Sequence, residues 1–260
     1  MISITQIMNK KDVDCINDII KKIDDRAELG IGFCSSYKRL LVPTKGGEHS
    51  PALDNIRDLI LSINKRECDK IIMHYSASNK MIFLDEIRNL LEYNELNRYI
   101  DIIFLSGEWY NARELMRIKE LYKKIKIAIQ LPVYRMDNTS ISDVCCKLLE
   151  YVNVIDYASI DNSGGKGVEI DCNYSIELMN AMKKYDLDIQ WLITGGLCGE
   201  NIKKIVREVY LGTSIKFSVD AESKLRKAGD LCNQKVEEYV CNAIKSYKII
   251  LNSKGEYLWN

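Results

Sequence analysis

The sequence predicts an α/β protein of the (βα)8 barrel class, built as one domain over residues 1–260. Short runs of β-branched and aromatic residues alternate with longer amphipathic segments, which is typical of parallel strands joined by right-handed crossovers. Eight repeats average about 32 residues each, the size of one βα unit, and eight units close a barrel of ~250 residues. An open doubly wound sheet is disfavoured because no GxGxxG follows the first strand.

The predicted strands are rich in Ile, Val, Phe or Tyr, and most are bounded by polar residues or glycine. In chain order they are Ile2–Ile7, Leu29–Cys34, Asp69–Tyr75, Ile100–Leu105, Lys126–Leu131, Val154–Ile160, Ile189–Thr194 and Ile215–Val219. Between them, apolar residues recur at helical spacing. The clearest helical patterns begin at Ile56, Ile87, Leu115, Ile176, Ile202 and Val236.

The composition excludes several classes of protein. Lys plus Arg and Asp plus Glu both number 37, and zero net charge argues against binding nucleic acid by bulk phosphate neutralisation. No apolar run reaches the ~18 residues that a membrane span needs, and the N-terminus lacks a secretory signal. Nine cysteines without CxxC predict free thiols in the cytoplasm. We expect no metal, no cofactor, a small-molecule substrate with or without a phosphate group, and a monomer or homodimer.

In a (βα)8 barrel the active site lies at the carboxyl ends of the strands, so the residues there are the candidates. Thr5 lies near the end of strand one and His74 near the end of strand three, while Arg39 follows strand two and Ser106 follows strand four. His74 could be a base near neutral pH or a half-buried structural residue. Cys34 could react only if its pKa is lowered, and is otherwise a small packing residue.

The end of strand six carries the clearest candidate for proton transfer. Asp161 leads into Asn162-Ser163-Gly164-Gly165-Lys166-Gly167. Glycines let the backbone approach a ligand closely, and a carboxylate entering such a loop is well placed to move a proton. The alternative is an ordinary turn with an Asp cap.

The loops after strands seven and eight predict an anion site. Gly195-Gly196 opens a helix that begins near Asn201, and free amides at a helix N-terminus bind phosphate. Ser223 and Lys224 follow strand eight, and these two loops form the common phosphate site of barrels. A Gly-Gly pair also occurs in many tight turns of α/β proteins, which is the alternative.

Five collinear segments resemble one known family, the phosphoribosylanthranilate isomerases. Three are similar to its Asp-plus-SGGxG loop, its GGL-x-x-EN segment and its VDxSS segment, namely Ile160–Gly167, Thr194–Ile202 and Phe217–Ser223. Phe33–Arg39 resembles the segment after the second strand, and Leu105–Glu108 lies where the family has Leu-His-Gly-Glu. The likeness is strong over residues 155–240 and weaker before.

The resemblance implies a (βα)8 barrel and an Amadori rearrangement, in which an aminoaldose phosphate becomes an aminoketose phosphate in tryptophan biosynthesis. A general acid opens the sugar ring, and a general base removes the C2′ proton. Asp161 matches the general acid, and Arg39 matches a residue near the anthranilate group of the substrate. We expect the phosphate group to be bound by Gly195, Gly196, Asn201 and Ser223. We expect the rest of the substrate to be contacted by Arg39, His74, Ser106, Gly164 and Gly165.

Three departures from the family pattern bear on the reaction. The family's base is a cysteine in a KICG motif, whereas this chain has Ser3-Ile4-Thr5-Gln6, so Thr5 holds the position of the base and would need its own activating base. Ser106 replaces a histidine. Glu222 and Lys224 flank Ser223, and a carboxylate there opposes a phosphate unless a cation offsets it.

These departures leave two alternatives open. One is a related barrel enzyme acting on a different phosphorylated or carbohydrate-like small molecule, and the other is a non-catalytic small-molecule-binding barrel. In every case Asp161, Arg39, His74, Ser106 and Glu222 are expected to converge at one mouth of the barrel, because each follows a predicted strand.

Overall fold

The computed structural model of the chain describes residues 1–24, 26–77, 83–131, 140–161 and 167–252. Eight parallel strands form a closed barrel in sequence order, and β8 pairs with β1 to close it. The strands are β1 (Ile2–Ile4), β2 (Leu29–Ser36), β3 (Lys70–Ser76), β4 (Ile102–Leu105), β5 (Lys126–Leu131), β6 (Tyr157–Ile160), β7 (Gln190–Ile193) and β8 (Phe217–Ala221). The predicted (βα)8 fold is confirmed.

Helices connect the strands and surround the barrel. They are α1 (Lys10–Ile20), α2 (Tyr37–Leu41), α3 (Leu53–Leu61), α4 (Phe83–Glu92), α5 (Ala112–Leu121), α6 (Ile141–Leu149), α7 (Cys172–Lys183), α8 (Ile202–Thr213) and α9 (Asn233–Asn252). A two-stranded antiparallel hairpin, β9 (Arg226–Lys227) and β10 (Asp230–Leu231), lies between β8 and α9. In the part of the chain that the structure describes, no helix is both long and apolar enough to cross a bilayer.

The strands divide the buried side chains between two layers, because successive residues of a strand point to opposite faces. The larger layer packs the outer faces of the strands against the helices and includes Ile71, Met73 and Tyr75 of β3. The smaller cluster fills the barrel interior toward the amino ends of the strands, and consists of Met1, Ile72, Ile102, Phe104, Ala128, Tyr157 and Leu192. Toward the carboxyl ends the inward positions become polar, and this is where a site can form.

Most strand boundaries differ from the sequence prediction by one to three residues, and the differences in β1 and β8 affect the site. β1 ends at Ile4 instead of Ile7, because Gln6 adopts a left-handed backbone (φ 72°) that breaks the strand. β8 begins and ends two residues later than predicted, since Ser214 (φ 55°) caps α8 and Ala221 pairs with Ile4. Asp220 therefore lies inside β8.

Candidate active site

A cavity of about 300 Å³ opens at the carboxyl ends of the strands, as a barrel active site would. Its described lining comes from seven of the eight strands, all except β1, or from the loops that follow them. The lining residues are Cys34, His74, Phe104, Ser106, Gln130, Asp161, Gly167, Thr194, Gly195, Gly196, Leu197, Asp220, Glu222, Ser223 and Lys224. Of the five residues expected to converge here, Asp161, His74, Ser106 and Glu222 do so.

Arg39 does not join them, which corrects the expectation that it lies at the mouth. β2 continues to Ser36, so Arg39 falls within the short helix α2, away from the cavity lining. Its guanidinium donates hydrogen bonds to the carbonyl oxygens of Lys45 and Gly46 in the following loop. Gly164 and Gly165, also expected to contact substrate, lie outside the described residues.

Asp161 directly follows β6 and is only 4% exposed. The side-chain amide of Gln130, near the end of β5, donates a hydrogen bond of 2.9 Å to its Oδ2. Its Oδ1 lies beside Gly195, where an added Cβ would stand 3.2 Å from that oxygen. Gly195 has φ of 109°, a conformation that side chains disfavour. Because residue 195 is a glycine, it places no side chain against this oxygen.

A hydrogen-bond chain lies on the other side of the cavity. The Thr5 hydroxyl donates to Oδ1 of Asp220 at 2.7 Å, and Thr5 Oγ1 lies 3.1 Å from Nε2 of His74. When Asp220 is ionised, the single proton of the Thr5 hydroxyl goes to Asp220, and Nε2 of His74 is then the donor to Thr5. Thr5 is 1% exposed and lies beneath the cavity lining. Thr5 thus lies between His74 and Asp220, and its hydroxyl proton is used in the hydrogen bond to Asp220.

Because Gly32 of β2 has no side chain, it leaves room for this chain of hydrogen bonds. Thr5 belongs to the strand-one segment and His74 to β3, with β2 between them. An added Cβ at Gly32 would lie 2.5 Å from Thr5 Oγ1 and 3.1 Å from His74 Nε2. Since a glycine has no side chain here, the two polar groups meet across the intervening strand.

The carboxyl group of Asp220 is buried, with 8% exposure, and lines the cavity. Burial raises its pKa from the ordinary 3.8 to about 7; the hydrogen bond from Thr5 opposes the rise, while the charges of Glu222 and Asp161 add to it. Asp220 therefore exchanges its proton near neutral pH.

Unlike Asp220, His74 and Cys34 do not change their protonation near neutral pH. Burial lowers the pKa of His74 to about 3, so the ring is neutral at pH 7, and it stacks on Phe104 with the ring centroids 4.4 Å apart. Burial also raises the pKa of the Cys34 thiol far above its usual range, and the charges of Glu222 and Asp220 add to this. Neither a charged imidazole nor a thiolate is present near neutral pH.

Glu222 brings a third carboxyl group to the cavity. Burial raises its pKa, and the charge of Asp161 adds to the rise while His49 and Arg226 oppose it. Within the described residues, Glu222 forms no ion pair with a cation inside 4.0 Å. Lys224 lines the same cavity, and no other Lys or Arg does so among the described lining residues.

The loops in which an anion site is predicted meet at the cavity. Gly195 and Gly196 line the cavity with Ser223, and Gly196 has φ of 58°. Asn201 lines a neighbouring cavity instead, where its amide donates to the Gly196 carbonyl at 2.9 Å and its Oδ1 accepts from the Cys198 amide at 2.9 Å. An added Cβ at Gly196 would lie 2.7 Å from the Gly167 carbonyl. The glycine pair therefore also lets two loops pack closely.

Two residues of the site were not among the sequence candidates. Gln130 and Asp220 each lie on an inward-facing position near the carboxyl end of a strand. The alternation of inward and outward side chains could have identified Asp220, had β8 been placed two residues later.

All nine cysteines are described and all are free thiols. No group of three metal-ligating side chains suited to a metal ion occurs among the described residues.

Comparisons with known proteins give likenesses of structure. No protein-family model and no curated protein matches the sequence. A phosphoribosylanthranilate isomerase from Thermus thermophilus is 13% identical, with a TM-score of 0.64, and the match covers 94% of this chain and 98% of that one.

Two further structures extend the comparison. A phosphoribosylanthranilate isomerase in complex with reduced 1-(o-carboxyphenylamino)-1-deoxyribulose 5-phosphate is 15% identical, covers 94% and 100% of the two chains, and has a TM-score of 0.59. The YdjI aldolase from Escherichia coli K12 is 10% identical, covers 96% and 89%, and has a TM-score of 0.53. At these identities the likeness establishes the barrel fold alone, because one fold hosts many reactions.

Proposed function

We propose that this barrel is an enzyme that converts an aldose derivative to a ketose derivative by proton transfer, in an Amadori-type rearrangement with Asp161 as the general acid and base. The observation that carries the proposal is the placement of Asp161. Its carboxyl group is buried at the carboxyl end of β6, accepts a hydrogen bond from Gln130, and has Oδ1 beside Gly195, which carries no side chain. A turn-capping aspartate needs none of these three features.

The reaction begins with protonation of the ring oxygen of the sugar. Protonated Asp161 would give its proton to that oxygen, so that the C1–O bond breaks and the nitrogen lone pair forms a C1=N iminium. Removal of the proton on C2 then gives an enaminol, and the return of protons gives the ketone. General acid–base catalysis contributes roughly 10²–10⁴-fold in rate. Thr5 would orient Asp220 and is not itself the base, because its proton is engaged.

The phosphate of such a substrate would lie at Gly195, Gly196 and Ser223. Lys224, the one cation among the described lining residues, would have to offset Glu222, which has no described cation within 4.0 Å. Asn201 would act by holding the turn in shape. The solved isomerase complex named above contains a ribulose 5-phosphate derivative, which supports a phosphorylated sugar as the class of ligand. The nine free thiols support the cytoplasm as the place of this reaction.

A second candidate is a related barrel enzyme that acts on a different phosphorylated or carbohydrate-like molecule. The position of Arg39 favours it, since this residue is engaged with the carbonyls of Lys45 and Gly46 and does not line the cavity. Among the described lining residues, only Lys224 could then pair with the carboxylate of an anthranilate group. An aminoaldose phosphate without that carboxylate fits the described cavity better.

Two assays test the proposal. The gene is introduced into a bacterium that lacks phosphoribosylanthranilate isomerase, and growth without tryptophan is scored. The purified protein is assayed with N-(5′-phosphoribosyl)anthranilate and with N-(5′-phosphoribosyl)aniline, which lacks the carboxylate. Turnover of the aniline compound without growth would identify the second candidate, and turnover of neither would contradict the proposal.

The role of Asp161 is tested with Asp161→Asn, which keeps the shape of the side chain and removes the transferable proton. We expect turnover of the accepted compound to fall about 10²–10⁴-fold with the melting temperature unchanged. Asp14→Asn, on the exposed face of α1, is the matched control. Turnover within tenfold of wild type would place the acid elsewhere, and a loss of stability alone would identify Asp161 as a turn cap.

A further inference from the structure

We infer that Asp220 is the general base of this barrel, taking the proton from C2 of the substrate in place of a group on strand one. The inference rests on the proposed function, which requires a base that the strand-one segment does not supply. Asp220 lines the same cavity as Asp161 but approaches it from β8. The two carboxyl groups could thus act on one small molecule.

The surroundings of Asp220 hold its carboxyl group in one orientation. The Thr5 hydroxyl donates to Oδ1 at 2.7 Å, and His74 in turn donates to Thr5 at 3.1 Å. No described residue hydrogen-bonds to Oδ2, while the residue itself lines the cavity. One oxygen is therefore anchored to the barrel wall, and the other is the free acceptor.

Two other groups near this point, His74 and Cys34, are poorer proton acceptors. The His74 ring is neutral, but its Nε2 donates to Thr5 and burial lowers its pKa to about 3, which makes it a weak base. The Cys34 thiol has a pKa raised by burial, so it does not form a thiolate near pH 7. Asp220, with a pKa of about 7, is close to half ionised there, which suits a general base.

The proton balance closes with two carboxyl groups. Asp220 carboxylate takes the C2 proton, the C2–H electron pair becomes the C1=C2 bond, and the C1=N pair returns to nitrogen. Protonated Asp220 then delivers a proton to C1, while Asp161 carboxylate takes the proton of the C2 hydroxyl as the ketone forms. Both groups end in the state in which they began, and no oxidant or co-reactant is needed.

The test follows the loss of the C2–H signal of the aldose by proton NMR in D₂O, here called exchange, with N-(5′-phosphoribosyl)anthranilate and N-(5′-phosphoribosyl)aniline as probes. Wild type, Asp220→Asn, Cys34→Ala and the control Asp14→Asn are compared, and melting curves establish that each is folded. We expect Asp220→Asn to lose exchange at least 100-fold. The exchange rate of wild type should rise with pH to a plateau, with its midpoint near the pKa of about 7.

Each outcome decides one point. No exchange by wild type with either probe would overturn the proposed function, and with it the reaction that Asp220 would serve. Exchange by Asp220→Asn within tenfold of wild type would overturn the assignment of the base and leave the function standing. An equal loss in Cys34→Ala, with the pH midpoint well above 7, would make the thiol the base instead.

Discussion

Asp220 keeps a proton at pH values where an exposed aspartate has lost it. Burial raises its pKa to about 7 from 3.8, so between these values the folded chain holds a proton that the unfolded chain releases. The free energy of unfolding then falls as pH rises through this interval and stays low above about 7. At the scale of one residue, a group suited to catalysis lowers stability at neutral and alkaline pH.

Asp220→Asn should therefore stabilise the protein above pH 7. The amide cannot ionise, and its oxygen can still accept the hydrogen bond from Thr5. At 1.36 kcal/mol per pKa unit, we expect a gain of about 2–4 kcal/mol at pH 8 relative to wild type. The gain should be less than half as large at pH 5, which lies only about one pH unit above 3.8. Urea unfolding at both values measures it, with Asp14→Asn as control, and an equal difference at the two pH values would contradict the burial of an ionisable carboxyl group.

Some site residues follow from the sequence because their role depends on local pattern. Asp161 precedes a glycine-rich stretch at a strand end, and alternation of strands and helices is enough to place it at the mouth. Arg39 could not be placed in this way. Its side-chain direction depends on where β2 ends and on the loop carbonyls that it meets, and both are consequences of tertiary packing.

Among the elements, β8 shows most clearly what the sequence can predict. Its existence and type follow from the run of apolar residues that includes Phe217 and Val219, but its bounds depend on pairing with β1. Ala221 pairs with Ile4, and Ser214 ends the preceding helix in a left-handed conformation. Neither contact is visible in local propensity, and the difference of two residues moves Asp220 from a loop into the barrel wall.

The element β2 offers a direct test of the hydrogen-bond chain. Gly32→Ala would bring a Cβ within 2.5 Å of Thr5 Oγ1 and 3.0 Å of Thr5 Cα, and the latter is backbone that cannot move aside easily. We expect a loss of about 1–3 kcal/mol in the free energy of unfolding, as for overpacked cores. Gly47→Ala, in an exposed loop, is the control. A Gly32→Ala variant as stable as wild type would mean that β1 and β3 are not in close contact over β2.

On the scale of the whole molecule, one buried ion pair connects the first helix to the segment that follows the last barrel strand. Arg226 of the β9–β10 hairpin lies 3.4 Å from Asp12 of α1, with side-chain exposures of 9% and 0%. The Asp12 carboxylate also accepts from the amides of Met8 and Leu231, at 2.9 and 2.8 Å. The chain that follows β8 is thus anchored to the first helix, beside the seam where β8 meets β1.

Arg226→Met should destabilise the barrel as a whole. It removes the cation and leaves the Asp12 charge buried, a change that typically costs about 3–5 kcal/mol. We expect a single cooperative urea transition at lower midpoint. Lys227→Met, which changes an exposed neighbour in the same strand, serves for comparison. A loss below about 1 kcal/mol, the value typical of surface pairs, would show that the pair is solvated in solution.

The contact between Thr5 and Asp220 joins residues 215 positions apart in the chain, on strands that are neighbours only because the barrel closes. A point in the cavity near this seam can be reached from either strand. In evolutionary terms, a proton acceptor can pass from one strand to the other while its location in space hardly changes. A relative that has undergone such an exchange would lose the signature of its family at the first strand and retain the reaction. Homologues of this kind are to be sought by the position of the carboxyl group in the folded barrel and not by alignment of the first strand.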